Sequence, residues 1–450
     1  MSNMSRRSFV KGTALAFGIP TLVPISVIAK ENKDDALPND RINVGQIGCG
    51  SISGYHKGHT MRMKDIRVVA TCDAYKSRRE RRAAEFNKHY GGSNVTTAHA
   101  DFRELLARKD IDAVIICAHD NWHTPMSIAA AKAGKDIYCQ KPMSIDFTMM
   151  RHLREEVTKA KSVFQFGTQF RSMGRWRLMV ELVRNGHIGK LERIEVWSRN
   201  LHHDASKYNV KPYGSTKEIP IPEDLDFDAW QGPSPIVPYT ADRCTRWGGF
   251  HCPETSLGFL AGCAIHPLGI AQWGNKTDHT SPIRYEGTGN IPNEGIFRTL
   301  EHWDMHCEYE NGVKLHLMDH QTAKPVITKY CPGKWRDGDG VVFHGTEGWI
   351  GNCWNAFYAS DNKIWKQECK EKLHDGKEHH RNWIDCVKTR KQTLCHVEMA
   401  IRCDTICHMT RAAALTKRPI KFDPKKEEIV GDPEASKLLS LKHRDKWKVW

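Results

Sequence analysis

The stretch Ile42-Asn43-Val44-Gly45-Gln46-Ile47-Gly48-Cys49-Gly50-Ser51-Ile52-Ser53 decides the fold. Its first half reads as a buried strand. Gly48 to Ser53 then fits G-x-G-x-x-[G/A], with Ser in the third place. Gly48 permits the tight turn, Gly50 lets a pyrophosphate approach the backbone, and Ser53 is small enough for close helix–strand packing. The turn opens a helix over Ile52–Met63 and leads to a second strand, Ile66–Cys72, which ends at Asp73. An acid at that place binds ribose hydroxyls and repels a 2′-phosphate. NAD is therefore the expected cofactor, with NADP disfavoured although Arg78 and Arg79 follow closely. Its expected contacts begin with Gly48, Gly50, Ser51, Ile52 and Asp73.

Working outward, strands and helices keep alternating. Strands are predicted at Val95–Ala98, Ala113–Cys117, Asp136–Cys139 and Val163–Phe166, separated by helices such as His123–Ala133 and Ile145–Ala160. Buried apolar strands alternating with helices predict a parallel, doubly wound sheet. The pattern changes after a helix at Arg175–Asn185. Strands with polar alternation follow at Leu191–Ser198, His306–Glu310 and Lys314–Met318, with hairpin turns at Asn311-Gly312 and Glu347-Gly348. Residues 203–256 read as long loops, and helices return at His380–Lys388 and Val397–Leu415. The expectation is an α/β Rossmann domain over 41–167 and an α+β domain with a largely antiparallel open sheet over 168–450.

Upstream, Ser5-Arg6-Arg7-Ser8-Phe9-Val10-Lys11 is a twin-arginine export motif, followed by an apolar run to Ala29 that is short for a membrane span. Residues 1–29 are expected to be a cleaved signal and 30–40 a polar linker, so the mature chain is periplasmic or otherwise exported without stable membrane insertion. The net charge of +14 fits a solvated basic surface, and no nucleic-acid-binding module accompanies it. Fifteen cysteines without a CxxC suggest no zinc ribbon, and the spacing of Cys403 and Cys407 leaves their pairing open. His202-His203-Asp204 and His379-His380 read as surface histidines, so no metal is expected.

Ile42–His56, Asp112–Pro125 and Gly134–Ser144 resemble the Gfo/Idh/MocA family, which includes glucose–fructose oxidoreductase and inositol dehydrogenase. The similarity continues through Leu225–Pro238, His266–Gly274 and Asn382–Arg418. It is closest to the exported subgroup associated with envelope carbohydrates. The family's E-K-P motif stands here as Gln140-Lys141-Pro142, and the resemblance makes Lys141 the catalytic lysine. It also makes His266 the histidine beside the nicotinamide. The family's acid four residues earlier is Gly262 here, and the acid three residues later is Gly269. His266 could then act as base alone, with Lys141 as its electrophilic partner.

Asp120 and Asn121 are expected on the nicotinamide side, with His123 and Gln140 also near the cofactor. Arg243, Arg246, Trp247 and His251 suit a sugar ring and its hydroxyls, with loop packing as the alternative. The resulting expectation is NAD-dependent oxidation of a sugar or glycoside hydroxyl, with C3 a candidate position, and a tightly held, internally recycled cofactor. Redox-assisted glycoside cleavage is the second reading, and a non-catalytic NAD- and sugar-binding protein is the rival class. The resemblance further implies a homodimer or homotetramer.

Overall fold

The computed structural model describes residues 41–200, 213–245, 248–332, 338–376 and 378–448. The export motif, the linker, His202-His203-Asp204, Arg246 and Trp247 lie outside the described residues.

The strands β1 (Ile42–Ile47), β2 (Ile66–Cys72), β3 (Thr97–His99), β4 (Ala113–Ile116), β5 (Asp136–Cys139) and β6 (Phe164–Phe166) form a six-stranded sheet. Its order is β3-β2-β1-β4-β5-β6 and every pairing is parallel. The strand order reverses between β1 and β4, which opens a crevice at their C-terminal ends. One face of this sheet carries Val44, Val68, Ile115 and Tyr138. Phe86 covers part of it, and Trp383, Ile384 and Val387 from the helix His379–Thr389 cover the rest. That helix therefore returns from far along the chain to complete the first sheet. Asp65 fixes it through Arg381 at 2.8 Å and Lys388 at 2.5 Å.

The second sheet contains β7 (Leu191–Ser198), β8 (Arg284–Asn290), β9 (His302–Glu308), β10 (Lys314–Asp319), β11 (Gly340–Gly345), β12 (Trp349–Cys353), β13 (Ala356–Ala359), β14 (Ile420–Asp423) and β15 (Glu428–Ile429). Their order is β13-β12-β11-β7-β10-β9-β8-β14-β15. The pairings are antiparallel except β7 with β10, which is parallel. Ile194, Val196, Leu315 and Leu317 turn inward to a core shared with the buried helix Val397–Thr416.

Two elements escape a reading by periodicity. The strand β8 has the sequence RYEGTGN, polar and twice interrupted by glycine. The helix Ile265–Gly274 is buried almost all round, so it has no polar face to betray it, and Pro267 is tolerated in its first turn. All fifteen cysteines are buried thiols. Cys403 and Cys407 are not joined: one Sγ meets Met399 Sδ at 3.7 Å and the other donates to the Leu260 carbonyl at 3.4 Å. Among the described residues, no helix is long and apolar enough to cross a membrane.

Candidate active site

A cavity of about 470 Å³ occupies the crevice above β1, β2 and β4. Gly48, Gly50, Ser51, Ile52, Asp73 and Asp120 all line it. Gly48 has φ +89°, and a Cβ there would stand 2.3 Å from the Cys117 carbonyl oxygen, so only glycine fits. Gly50 precedes the helix Ser51–Arg62, and the space its Cβ would take is open. A diphosphate can therefore reach the helix's free N–H groups. Ser53 is buried and donates to the Gly50 carbonyl at 2.6 Å, which locks the turn.

Asp73 accepts the Cys49 N–H at 2.6 Å and the Tyr75 N–H at 2.8 Å. Burial raises its pKa, against the pull of those two bonds. The carboxylate thus braces the glycine turn while facing the cavity. Arg78, Arg81 and Arg82 also border the cavity, and Arg78 stacks on Tyr75 at 3.7 Å. Trp122 and Trp447 close a further wall, their rings 5.4 Å apart and edge to face. The open cradle at Gly50, the braced acid and the cavity's size fit a nicotinamide dinucleotide.

Asp120 begins the helix Asp120–Lys132 at the end of β4 and accepts the Ser256 hydroxyl at 2.6 Å. Burial lifts its pKa to about 7, although Ser256 and the Lys141 ammonium oppose the rise. Lys141 extends from the end of β5. Its Nζ donates to the Gly262 carbonyl at 2.6 Å and stands 5.5 Å from the centre of the Phe250 ring, which lines the cavity. A main-chain oxygen thus takes the lysine where the resemblance would place a carboxylate side chain.

His266 lies in the first turn of Ile265–Gly274, stacked on Phe170 at 4.9 Å. Burial, then the positive charges of Lys141 and Arg199, hold its pKa well below the usual imidazole value. Its Nδ1 has no hydrogen-bond partner among the described residues, so a neutral ring presents a free nitrogen. Arg171 anchors this helix by donating to the Gly269 carbonyl at 2.7 Å while pairing with Asp278 at 2.6 Å. A Cβ at Gly269 would meet nothing within 4 Å, so losing an acid there leaves space.

Several residues expected at the site do not line the cavity, because their polar atoms are engaged elsewhere. Asn121 donates to the Gln231 carbonyl at 2.7 Å and to Ser234 at 2.9 Å. His123 bridges the carbonyls of Pro142 at 2.6 Å and Ala118 at 3.1 Å, so it fixes the loop that carries Lys141. Arg243 is buried, donating to the Pro238 carbonyl at 3.0 Å and pairing with Glu254 at 3.1 Å. His251 is buried against Phe259, with Thr299 at 3.3 Å. Gln140 accepts the Lys141 N–H at 3.2 Å and meets His56 Nε2 at 2.8 Å.

From Gln140 a chain runs through His56 to His380 at 2.8 Å and to Glu378 at 3.2 Å. His379 and His380 are buried, not superficial, because their helix presses them onto Tyr138. The residues missed by sequence reasoning are Ser256, Phe170, Arg171 and Trp447. None shares a local motif with the glycine turn, and only the fold brings them to it.

Asp120 gives a pH prediction. Below about 7 its carboxyl is neutral, and above about 7 it is an anion beside Lys141. The anion favours a positively charged oxidised nicotinamide over the neutral reduced ring. The ratio of the NADH to the NAD⁺ dissociation constant should therefore rise as pH increases through about 7. Asp120→Asn should flatten it. Fluorescence titration of both forms across pH checks this, and an unchanged rise in the variant would refute it.

Fold and site together define a dinucleotide-binding protein with a Rossmann sheet and a second, mostly antiparallel domain. The chain belongs to the Gfo/Idh/MocA oxidoreductase family: residues 42–168 match its NAD-binding Rossmann fold and 179–449 its C-terminal alpha/beta domain. It is 31% identical over 159 residues to myo-inositol 2-dehydrogenase of Thermotoga maritima, covering 35% of this chain and 46% of that protein. It is 26% identical over 217 residues to a glycosyl hydrolase family 109 protein of a Shewanella species, covering 42% and 45%. The chain thus spans about half the length of these curated relatives. The WlbA dehydrogenase of Bordetella pertussis, solved with NADH and UDP-GlcNAcA, shares the fold at a TM-score of 0.61 and 14% identity. That likeness covers 85% of this chain and 99% of the other.

Proposed function

We propose that this protein oxidises a secondary hydroxyl of a sugar or glycoside, with C3 a candidate position, and retains its cofactor, the hydride passing back to a sugar carbonyl to close the cycle. The observation that carries the reading is the pair of Lys141, fixed 2.6 Å from the Gly262 carbonyl, and the neutral His266 with a free Nδ1. The inositol dehydrogenase relative supports a polyhydroxylated ring as substrate.

When bound, NAD supplies the hydride acceptor. His266 Nδ1 takes the hydroxyl proton. The Lys141 ammonium donates a hydrogen bond to the oxygen as it gains negative charge. Phe250 and Phe170 keep apolar surface around these groups, which strengthens both interactions by excluding water.

Cofactor retention draws support from the Trp447 wall. Arg444 clamps that segment onto Asp228, with its Nε donating to the Gly232 carbonyl at 2.7 Å, and Lys446 reaches the same carboxylate at 2.6 Å. Denaturing extensively dialysed protein should release about one dinucleotide per chain, identified by absorbance and mass. Purified protein should then act on glycosides without added NAD. An absolute requirement for external NAD would overturn retention.

The glycosyl hydrolase relatives favour a second reading. Oxidation at C3 acidifies the C2–H; a base removes that proton as the glycosidic group leaves C1 and takes up a proton, water adds across the C1–C2 double bond, and the hydride is then returned to C3. Release of free aglycone separates this from net oxidation, which leaves the keto-glycoside intact. We also infer export through the twin-arginine motif at Arg6 and Arg7, and a homodimer or homotetramer. Replacing both arginines by lysine should retain the protein in the cytoplasm.

A further inference from the structure

We propose that Trp354 and Arg199 form a second sugar subsite, which takes the ring next to the one whose hydroxyl faces His266. The inference rests on the sugar-oxidising reading above and narrows the substrate to a glycoside or oligosaccharide of hexopyranose rings.

Trp354 breaks a local rule. It occupies the two-residue connection between β12 and β13, with φ +55°. Such hairpin positions favour asparagine or glycine, and an L residue with a bulky side chain is strained there. The surroundings nevertheless hold it in place. Its N–H donates to the Asp339 carbonyl at 3.0 Å, and the Asn352 side-chain amide donates to the Trp354 carbonyl at 2.8 Å. Gly338 lies so close that a Cβ there would stand 2.4 Å from the Trp354 Cβ. These contacts fix the backbone yet leave the residue 37% exposed. A tryptophan serving only the core would be buried, and strain retained at an exposed side chain points to a ligand.

The indole stands in line with the site. Phe170, stacked on His266 at 4.9 Å, meets Trp354 edge to face at 6.2 Å. Phe170 is itself backed by Trp176 at 4.4 Å, so this aromatic wall is rigid. The Arg199 guanidinium lies 5.8 Å from the centre of the indole, and its Nε donates to the buried Asp339 carboxylate at 3.4 Å. A pyranose offers an apolar C–H face and a rim of hydroxyls. The indole suits the face, and a guanidinium at its edge suits the rim. Phe170 thus links His266 to Trp354 through two ring contacts, of 4.9 and 6.2 Å.

The test compares binding of methyl hexopyranosides with that of the matching disaccharides, using a panel of glucose, galactose and N-acetylhexosamine probes. Isothermal titration is run on wild type, Trp354→Ala, Trp354→Phe and Trp354→Gly, all with cofactor bound. Wild type is expected to bind at least one disaccharide more tightly than its methyl glycoside. Trp354→Ala should lose that preference by roughly tenfold, and Trp354→Phe should keep most of it. Trp354→Gly should likewise lose the preference. NADH affinity should stay constant across the set.

No disaccharide preference in wild type, an intact preference in Trp354→Ala, or equal losses in Trp354→Phe and Trp354→Ala would overturn the subsite. Disaccharide binding that is lost in Trp354→Ala, without any reduction of bound NAD in wild type, would support the subsite and overturn the oxidation reading. Reduction of NAD with an unchanged preference in Trp354→Ala would do the reverse.

Discussion

Replacing Lys141 by methionine should lower the rate at which sugars reduce the bound cofactor by roughly a thousandfold. Methionine keeps the length and apolar body of the side chain and removes the ammonium. The Nζ sits 2.6 Å from the Gly262 carbonyl, so it is placed before substrate arrives and costs little reorganisation during the reaction. Losing it removes the ammonium that would stabilise the charge developing on the substrate oxygen. Lys141→Arg should not rescue, because a planar fork cannot occupy the place of a compact ammonium. The measurement is single-turnover reduction of bound NAD, followed by the NADH absorbance band, with the dinucleotide content of each variant quantified. A loss below tenfold with cofactor still bound would remove Lys141 from the chemistry.

Gly48→Ala should abolish cofactor binding and destabilise the fold by about 2–4 kcal/mol. The added methyl group would stand 2.3 Å from the Cys117 oxygen and 2.6 Å from the Ala118 nitrogen, both backbone atoms of the neighbouring segment. The φ of +89° adds a penalty that no movement of a side chain can relieve. The turn must shift, and with it the Cys49 N–H that binds Asp73 at 2.6 Å. The urea midpoint and the dinucleotide released on denaturation report the two effects. By contrast Gly50→Ala meets open space and should keep stability while weakening the cofactor, since its methyl group would stand where the diphosphate approaches.

The glycine turn and the first sheet were legible because their signals are local. The bounds of β1, β2, β5 and β7 follow directly from apolar runs and alternation. Lys141 and His266 came from resemblance; neither lines the cavity, but Lys141 reaches Phe250, which does, and His266 sits in the first turn of its helix. Residues assigned by nearness in sequence fared differently. Asn121 and His123 neighbour Asp120 along the chain, but the helical turn directs them away from the cavity. Arg243 and His251 have the chemistry of sugar contacts, yet they satisfy buried partners of their own loop. Phe170 and Trp447 had no signal at all, because their role depends on where distant strands and the final turns meet.

Trp447 and the helix His379–Thr389 set an order on assembly. As the ribosome delivers the chain, the glycine turn emerges early, but the apolar face behind it waits for Trp383 and the cavity wall waits for Trp447. The nascent protein can form its turn without being able to shut it. The cavity wall is therefore complete only once the Arg444 clamp has docked, and opening that wall requires the clamp to detach from Gly232 and Asp228.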